Sequence, residues 1–225
     1  MAKQFELVMF DMDGTFISSR EFHTQVFTRF FNGFVMPVEY DEVRKGMGNT
    51  VWTIFESFHV SRERFEQLFW QLDGFCRTEI LDLVKEITLA GDVKETLVRL
   101  KSRCYQTALV TNSMQGVTES ILNYFGLSDL FDMVVGADIE SATKHARCEK
   151  VRESLHCSAV KTVYVGDAET DIQLAMDLGY GSCFADTAIS WAKDRNFIYE
   201  KMKPDFAIRA LKELPECLES SVDSR

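Results

Sequence analysis

Residues 5–15 read FELVMFDMDGT, a mostly apolar run that ends on two aspartates and a Gly-Thr turn. The run predicts a buried strand over Phe5–Phe10, and the glycine favours a turn directly after it. Two positions apart on an extended chain, the carboxylates of Asp11 and Asp13 can point the same way. Alone, this pattern also fits an ordinary strand end, so its meaning depends on the rest of the chain.

From about Gly91 onward, short apolar runs alternate with segments of helical spacing. The predicted strands are Thr107–Thr111, Met133–Val135, Thr162–Val165 and Ser182–Ala185. The predicted helices include one that starts at Asp92, one over Val117–Phe125 that Gly126 ends, and one capped by Thr170. Buried strands separated by helices predict an α/β fold, with a Rossmann-like parallel sheet and helices on both faces.

An aromatic stretch separates the first strand from that series. Eleven of the 18 Phe lie between Phe16 and Phe75. Many of them follow helical spacing, as in Phe65 and Phe69, which is typical of a helix-bundle core. We therefore expect a small α-helical domain at residues 16–89, inserted into a sheet domain that comprises residues 1–15 and 90–225.

Composition limits the possible partners. The net charge of −10 argues against a nucleic-acid surface, whereas a local cation still permits a small anionic substrate. No apolar run is long enough to span a membrane, and the first residues lack the regions of a secretory signal. The six cysteines contain no CxxC pair. A cytoplasmic protein with reduced thiols is expected.

Polar residues follow three further predicted strands. Thr111 and Asn112 end one strand, Lys144 comes after the next, and Asp167 follows the third. The carboxyl ends of parallel strands meet at one edge of a sheet, where open α/β sheets bind ligands. We therefore expect these residues to lie beside the first pair of aspartates.

Carboxylates from different strands would repel each other at this edge unless a cation lay between them. Magnesium prefers oxygen ligands, which suits Asp11, Asp167 and a main-chain carbonyl near Asp13. Asp171 lies one helical turn past Asp167, where it could hold a metal-bound water or orient Lys144. The sequence therefore predicts a Mg²⁺ site.

Four segments together resemble the haloacid dehalogenase superfamily, specifically its phosphatase branch. They are FDMDGT (10–15), LVTNS (109–113), Lys144 and VGDAETD (165–171), and they match in order and spacing. The resemblance implies a phosphatase that acts on a small phosphorylated metabolite, of the phosphoglycolate or sugar-phosphate type. It also implies that the aromatic insertion is a mobile helical cap.

The resemblance further implies a role for each matching residue. Asp11 would attack phosphorus and become an aspartyl phosphate. Asp13 would protonate the leaving oxygen and then deprotonate the hydrolytic water. Magnesium, Thr111, the backbone N–H of Asn112 and Lys144 would neutralise the oxygens of the transferring group.

The sequence departs from the family pattern at several positions. Lys144 precedes His145, where relatives usually have Pro, and Lys150 offers a rival ammonium. We prefer Lys144, because its distance of 22 positions to Gly166 leaves room for a helix. Ser18 replaces an Asp that usually follows the turn, at a position without a catalytic role.

Substrate choice is expected to come from the inserted domain. His23 lies shortly after its start and could face the cleft, although a half-buried helix histidine fits equally well. Arg44 and Lys45 precede Gly-Met-Gly-Asn and could bind a second phosphate or carboxylate. The alternative for both cations is a solvated pair before a turn.

Three other functions remain to be weighed. A β-phosphoglucomutase-like mutase would share the aspartates. Such mutases commonly have a Glu-Asp pair where this chain has Gly166–Asp167, and Ser-Arg where it has Gly48–Asn49. A signalling receiver domain also phosphorylates an Asp, but it lacks the long insertion and the second acid. A non-catalytic binding protein on the same fold would not need the complete set of polar residues.

Overall fold

The structure, a computed structural model, describes residues 4–139 and 143–220, in which strands and helices alternate. The strands are β1 Leu7–Phe10, β2 Ile17–Ser18, β3 Thr88–Leu89, β4 Gln106–Met114, β5 Met133–Ala137, β6 Thr162–Gly166, β7 Gly181–Ala185 and β8 Phe206–Ile208. The helices are α1 Arg20–Phe30, α2 Tyr40–Gly46, α3 Val51–Ser57, α4 Arg62–Leu83, α5 Val93–Ser102, α6 Gln115–Phe125, α7 Lys144–Ser154, α8 Glu169–Asp177, α9 Arg195–Phe197 and α10 Leu214–Ser220.

Six strands form one parallel sheet in the order β5-β4-β1-β6-β7-β8. At the end of β1, Phe10 pairs with Leu109 on one side and with Val165 on the other. The chain passes from β1 to β4 and β5, and then returns to β6 on the opposite side of β1. Strand order therefore reverses at β1, which opens a crevice at the carboxyl ends of the strands. The predicted Rossmann-like α/β fold is confirmed.

The two faces of the sheet are covered by different helices, as strand β1 demonstrates. Leu7 and Met9 pack into a core with residues of α7 and α8. Val8 and Phe10 point to the other face, into a core with residues of α5, α6 and α10. All four side chains are at most 1% exposed. Each such burial stabilises the fold by roughly 1.5–3 kcal/mol, which holds the end of β1 rigidly at the crevice.

The helices α1 to α4 lie between β1 and α5 in the chain. The chain enters and leaves this segment through an antiparallel pair, in which Ile17 of β2 opposes Leu89 of β3. The expected domain boundaries, 15/16 and 89/90, fall beside this pair. The division into a domain of residues 1–15 and 90–225 and a domain of residues 16–89 stays a prediction.

The aromatic spacing of the insertion does predict its core. Phe30 and Phe31 of this segment are fully buried, and Phe65 and Phe69 are at most 2% exposed. Rings of this set pack edge-on or tilted, as Phe31 does with Phe55 at a centroid distance of 4.7 Å. These packings add specific geometry to the burial of large apolar area.

Two local details differ from the sequence-based expectations. Strand β8 was not predicted, because an apolar run of only three residues is too short to indicate a strand. Helix α8 starts after Ala168 and is not capped by Thr170. The reason is Asp171, whose Oδ2 accepts the N–H of Ala168 at 3.1 Å and so places the helix start two residues before Thr170.

Two expectations from composition can be compared with the described residues. None of the helices in residues 4–139 and 143–220 is both long and apolar enough to cross a lipid bilayer. All six cysteines lie within these ranges, and none of them is in a disulfide.

Candidate active site

The turn after β1 carries Asp11 and Asp13, hereafter the aspartate pair. Gly14 adopts a φ of +82°, and its N–H donates to the carbonyl of Ile17 at 2.8 Å. A Cβ at this position would lie 2.5 Å from Oδ2 of Asp167. Glycine is required here both for the left-handed backbone and for the close approach to that carboxylate.

Three carboxylates meet at the crevice, two of them directly after strands β1 and β6 and one on α8. Oxygens of Asp11, Asp167 and Asp171 all lie within 4.8 Å of one another. Lys144, the first residue of α7, places its Nζ 3.0 Å from Oδ1 of Asp11 and 2.8 Å from Oδ1 of Asp171. Lys144 therefore reaches this group, whereas the rival Lys150 is exposed on the same helix.

The electrostatics of this group favour a cation. Burial raises the pKa of Asp11 to about 7, although the Lys144 ammonium opposes the shift. Burial, together with the neighbouring carboxylates Asp171 and Asp11, raises the pKa of Asp167 well above its usual range. Burial disfavours the charged form of Lys144, but the two carboxylates beside it raise its pKa well above the usual value. Three acids facing one ammonium leave an excess of negative charge.

This donor set fits a divalent cation. Several carboxylate oxygens close together are the hard ligands that Mg²⁺ takes. Asp11 and Asp167 belong to the group as predicted, and Asp171 contributes an oxygen to it as well as holding Lys144. The carboxylate of Asp13 lies outside it. The main-chain carbonyl near Asp13, named as a ligand from the sequence, stays a prediction.

The carboxylate of Asp13 has its own set of partners. Oδ1 accepts hydrogen bonds from Ser19 at 2.5 Å and from Nε2 of His23 at 2.9 Å. Oδ2 accepts from Ser113 at 2.6 Å and from Thr111 at 3.4 Å. Burial acts against ionisation, yet His23 and these hydrogen bonds lower the pKa of Asp13 to about 2. The aspartate pair is thus divided between two environments.

The end of β4 is held by an arginine from α7. Thr111 is 1% exposed, and its hydroxyl accepts the N–H of Ser113 at 3.1 Å. Nη2 of Arg147 donates to the carbonyl of Thr111 at 3.0 Å and to Oδ1 of Asn112 at 2.8 Å. Arg147 is only 5% exposed. A buried guanidinium therefore fixes the two residues that were predicted to contact phosphate.

A loop after β7 orients Asp167 from the other side. The hydroxyl of Thr15 donates to Oδ1 of Asp167 at 3.0 Å, and the backbone N–H of Trp191 donates to Oδ2. Nη2 of Arg20, the first residue of α1, donates to the carbonyl of Trp191 at 3.2 Å. The guanidinium of Arg20 also lies 4.7 Å over the indole ring. Helix α1 and the loop after β7 are therefore in direct contact beside Asp167.

A cavity of about 380 Å³ lies between the sheet edge and helices α1 to α4. The aspartate pair, Lys144, Asn112 and His23 line it, and His23 is 8% exposed. His23 therefore lines the cavity and is buried, and its contact with substrate stays a prediction.

Arg44 and Lys45 lie at the protein surface, and their contact with substrate stays a prediction. Both are exposed, and neither lines the cavity. Nη2 of Arg44 instead pairs with Oε1 of Glu21 at 3.1 Å. The residues that follow them in the chain, Gly48 and Asn49, do line the cavity.

The fold and the arrangement of these residues can be compared with known proteins. A sequence model of haloacid dehalogenase-like hydrolases matches residues 8–185. The chain belongs to the haloacid dehalogenase-like hydrolase family. This confirms the resemblance inferred from the motifs and the predicted class of enzyme, a hydrolase of this family.

Relatives of this haloacid dehalogenase-like hydrolase extend over nearly its whole length. Pyrophosphatase PpaX of Bacillus cereus is 26% identical over 211 residues, which cover 92% of this chain and 93% of the relative. The crystal structure of a predicted phosphoglycolate phosphatase from Haemophilus somnus aligns with a TM-score of 0.76 at 22% identity, covering 96% of this chain and 99% of that one. The crystal structure of a β-phosphoglucomutase from Clostridium difficile aligns with a TM-score of 0.73 at 14% identity, covering 97% of this chain and 99% of that one. These structures share the fold.

Several residues of the hydrolase's candidate active site were not predicted from the sequence. Ser113 could have been found, because alternate residues of an extended strand share a face and Ser113 lies two positions after Thr111. Ser19 carried no such signal. Arg147 and Trp191 also carried none, since their contacts depend on how α7 and the loop after β7 pack against other strands.

Proposed function

We propose that this hydrolase is a Mg²⁺-dependent phosphatase that forms an aspartyl phosphate on Asp11 and uses Asp13 as its general acid and base. One observation carries the proposal: two carboxylates on a single turn lie in different environments. Asp11 lies with Lys144 and two other acids, whereas Asp13 accepts four hydrogen bonds from hydroxyl and imidazole groups. Separated environments are typical of acids with separate roles.

In the first step an oxygen of Asp11 attacks phosphorus, and the bond between phosphorus and the leaving oxygen breaks. The leaving oxygen takes a proton from Asp13 and departs as an alcohol. Asp13 must be protonated for this step, although its pKa is about 2 without substrate. A bound phosphate dianion supports protonation, because a nearby like charge raises the pKa of a carboxyl group.

In the second step a water molecule attacks the phosphorus of the aspartyl phosphate. Asp13, now ionised, accepts a proton from that water, and the carboxylate of Asp11 is released together with inorganic phosphate. The low pKa of Asp13 supports this role, since the residue returns readily to the basic form after each proton transfer.

The remaining residues would bind and orient the phosphoryl group. We assign the hydroxyl of Thr111, the backbone N–H of Asn112 and the ammonium of Lys144 to its oxygens. Asp11, Asp167 and the Asp13 carbonyl would hold Mg²⁺, which supplies positive charge for the phosphoryl oxygens. Asp171 would keep Lys144 in place, as its 2.8 Å contact supports.

We also propose that residues 16–89 form a cap that covers the substrate. The cavity supports this, because it is lined by residues of α1 and α3 as well as by the sheet edge. Closure of such a segment would exclude water other than the attacking one. The substrate itself, a small phosphorylated metabolite, would then contact cap residues through its leaving group.

Hydrolysis is favoured over a sugar-phosphate mutase. Asn49 lines the cavity where such mutases carry Arg, so this position offers no guanidinium for a second phosphate. Phosphate release without isomer formation is the expected result when glucose phosphates are supplied. Isomer formation at a rate comparable to phosphate release would favour the mutase.

Two aspartate variants and one control test the covalent mechanism. Asp11→Asn should abolish phosphate release and incorporation of label from a radiolabelled phosphate donor. Asp13→Asn should slow turnover by at least about a hundredfold. Asp177→Asn, an exposed position on α8, should retain activity. Each variant is checked for folding by circular dichroism. Turnover by Asp11→Asn at the parent rate would disprove a covalent role for this residue.

A further inference from the structure

One side of the cavity consists of apolar side chains. This apolar wall comprises Phe27, Met47, Val51, Ile54, Met114 and Val117. Each of these residues is at most 8% exposed. They come from α1, the end of α2, α3, the end of β4 and α6, so both the inserted helices and the sheet domain contribute. The wall offers close packing to a ligand but no side-chain hydrogen-bond partner.

The Lys and Arg side chains of the cavity are separate from the apolar wall. Among the described residues, the Lys and Arg side chains that line the cavity are Arg20, Lys144 and Lys193. Arg20 is stacked on Trp191 and donates to its carbonyl through Nη2, while its buried Nε has no hydrogen-bond partner in the part of the chain that the structure describes. Lys144 is paired with two carboxylates. Lys193 is exposed. The side chains of the apolar wall themselves offer no charge to pair with a carboxylate or phosphate.

The neutral polar side chains of the cavity are also separate from the apolar wall. Thr111, Asn112 and Ser113 line the cavity from β4, where Thr111 and Ser113 donate to Asp13. Asn49 and Thr170 also line it, and both are exposed. A hydroxyl buried against the apolar wall would lose its hydrogen bonds to water without replacing them. A methylene in the same place would raise kcat/KM by about fourfold, which corresponds to ~0.8 kcal/mol of transfer free energy.

We propose that the leaving group of the substrate is an apolar alcohol, such as a branched alkyl, cycloalkyl or aromatic alcohol. The inference rests on the proposed phosphatase activity and names its substrate class. The phosphoryl group lies at the aspartate pair, and the hydrocarbon part of the leaving group packs against the apolar wall. Phosphoglycolate and sugar phosphates are then poor substrates, because their carboxylate or hydroxyl groups would face that wall.

Two pairs of isosteric substrates test this proposal. Isobutyl phosphate has the shape of phosphoglycolate with two methyl groups in place of the carboxylate oxygens. Cyclohexylmethyl phosphate has the shape of glucose 6-phosphate without its ring oxygen and hydroxyl groups. We expect kcat/KM to be at least about tenfold higher for the apolar member of each pair. Pyrophosphate, whose leaving group is an anion, should be hydrolysed less efficiently than isobutyl phosphate.

A matched pair of variants locates the preference in the apolar wall. Val51→Thr adds a hydroxyl to the wall at nearly constant volume, and should lower the ratio of kcat/KM for isobutyl phosphate to that for phosphoglycolate by about threefold or more. Val43→Thr makes the same change in α2 at a buried position that does not line the cavity. It should leave the ratio unchanged, whatever its effect on stability.

The outcomes separate this inference from the proposed function. A tenfold preference that Val51→Thr reduces and Val43→Thr does not would support the inference. A preference for phosphoglycolate, glucose 6-phosphate or pyrophosphate would overturn the inference and leave the phosphatase proposal intact. Failure to hydrolyse any of the five compounds in the presence of Mg²⁺ would overturn both.

Discussion

Arg147 offers a direct test of how the end of β4 is held. Its guanidinium donates to the carbonyl of Thr111 at 3.0 Å and to Oδ1 of Asn112 at 2.8 Å, and the side chain is 5% exposed. Arg147→Met keeps most of the buried stem but removes both donors. The carbonyl of Thr111 is then left without this partner in a site that water barely reaches.

The expected loss of stability follows from these contacts. Hydrogen bonds from a charged donor contribute about 1.5–3 kcal/mol each, and a buried acceptor left without its donor adds to the cost. The two bonds together correspond to a loss of about 3–6 kcal/mol, which for a chain of this size lowers Tm by roughly 6–24 °C. Differential scanning calorimetry measures this shift. Lys150→Met, an exposed change on the same helix, should stay within about 0.5 kcal/mol.

The activity of Arg147→Met separates positioning from stability. A displacement of about 1 Å at Thr111 and Asn112 can slow turnover by about a hundredfold. Inhibition by inorganic phosphate should weaken by at least about tenfold, whereas Mg²⁺ binding at Asp11 and Asp167 should persist. Arg147→Lys, which restores the charge, should recover part of the phosphate affinity. A variant with parent Tm and parent phosphate inhibition would refute the role assigned to Arg147.

Two further predictions concern the cation. Gly14→Ala should weaken Mg²⁺ binding by at least about tenfold in a calorimetric titration, because its Cβ would lie 2.5 Å from Oδ2 of Asp167. Gly33→Ala, with nothing within 4 Å of the added carbon, is its control, and equal affinities would contradict the prediction. Mg²⁺ affinity should also be about tenfold lower at pH 6 than at pH 8, since the pKa of Asp11 is about 7 and the cation must displace its proton at pH 6. An affinity independent of pH would refute this.

The sign of the pH effect on folding follows from the same group. The folded-state pKa of Asp11, about 7, exceeds its ordinary value of 3.8. Protonation of Asp11 therefore favours the fold below about pH 4, and this contribution is lost as the pH rises through 7. The increase in Tm caused by Mg²⁺ should be larger at pH 8 than at pH 6, and thermal unfolding at both pH values measures it.

Much of the fold was predictable because its signals are local. Apolar runs between helical segments located β1, β4, β5, β6 and β7, and the aromatic spacing located the core of the inserted helices. The pair of β2 and β3 was missed, since each strand has only two residues and the pairing joins positions far apart in the chain. The start of α8 was also predicted incorrectly, because it depends on the side chain of Asp171, which accepts the N–H of Ala168 three residues earlier.

The sequence predicted those residues of the site that directly follow a strand or lie close behind one. The aspartate pair, Lys144 and Asp167 lie together because parallel strands end at one edge of the sheet. The partners that tune them come from elements whose packing has no sequence signature. Arg44 was a plausible substrate contact in the sequence, yet in the fold it pairs with Glu21.

Local features of the chain, the apolar run of β1 and the glycine after it, are enough to place Asp11 and Asp13 on one turn after a buried strand. The tertiary structure decided what distinguishes them. Lys144 and Asp167 arrive beside Asp11, and His23 reaches Asp13 from α1. Burial and neighbouring charges set the pKa of a carboxyl group, and both depend on elements that are distant in the chain.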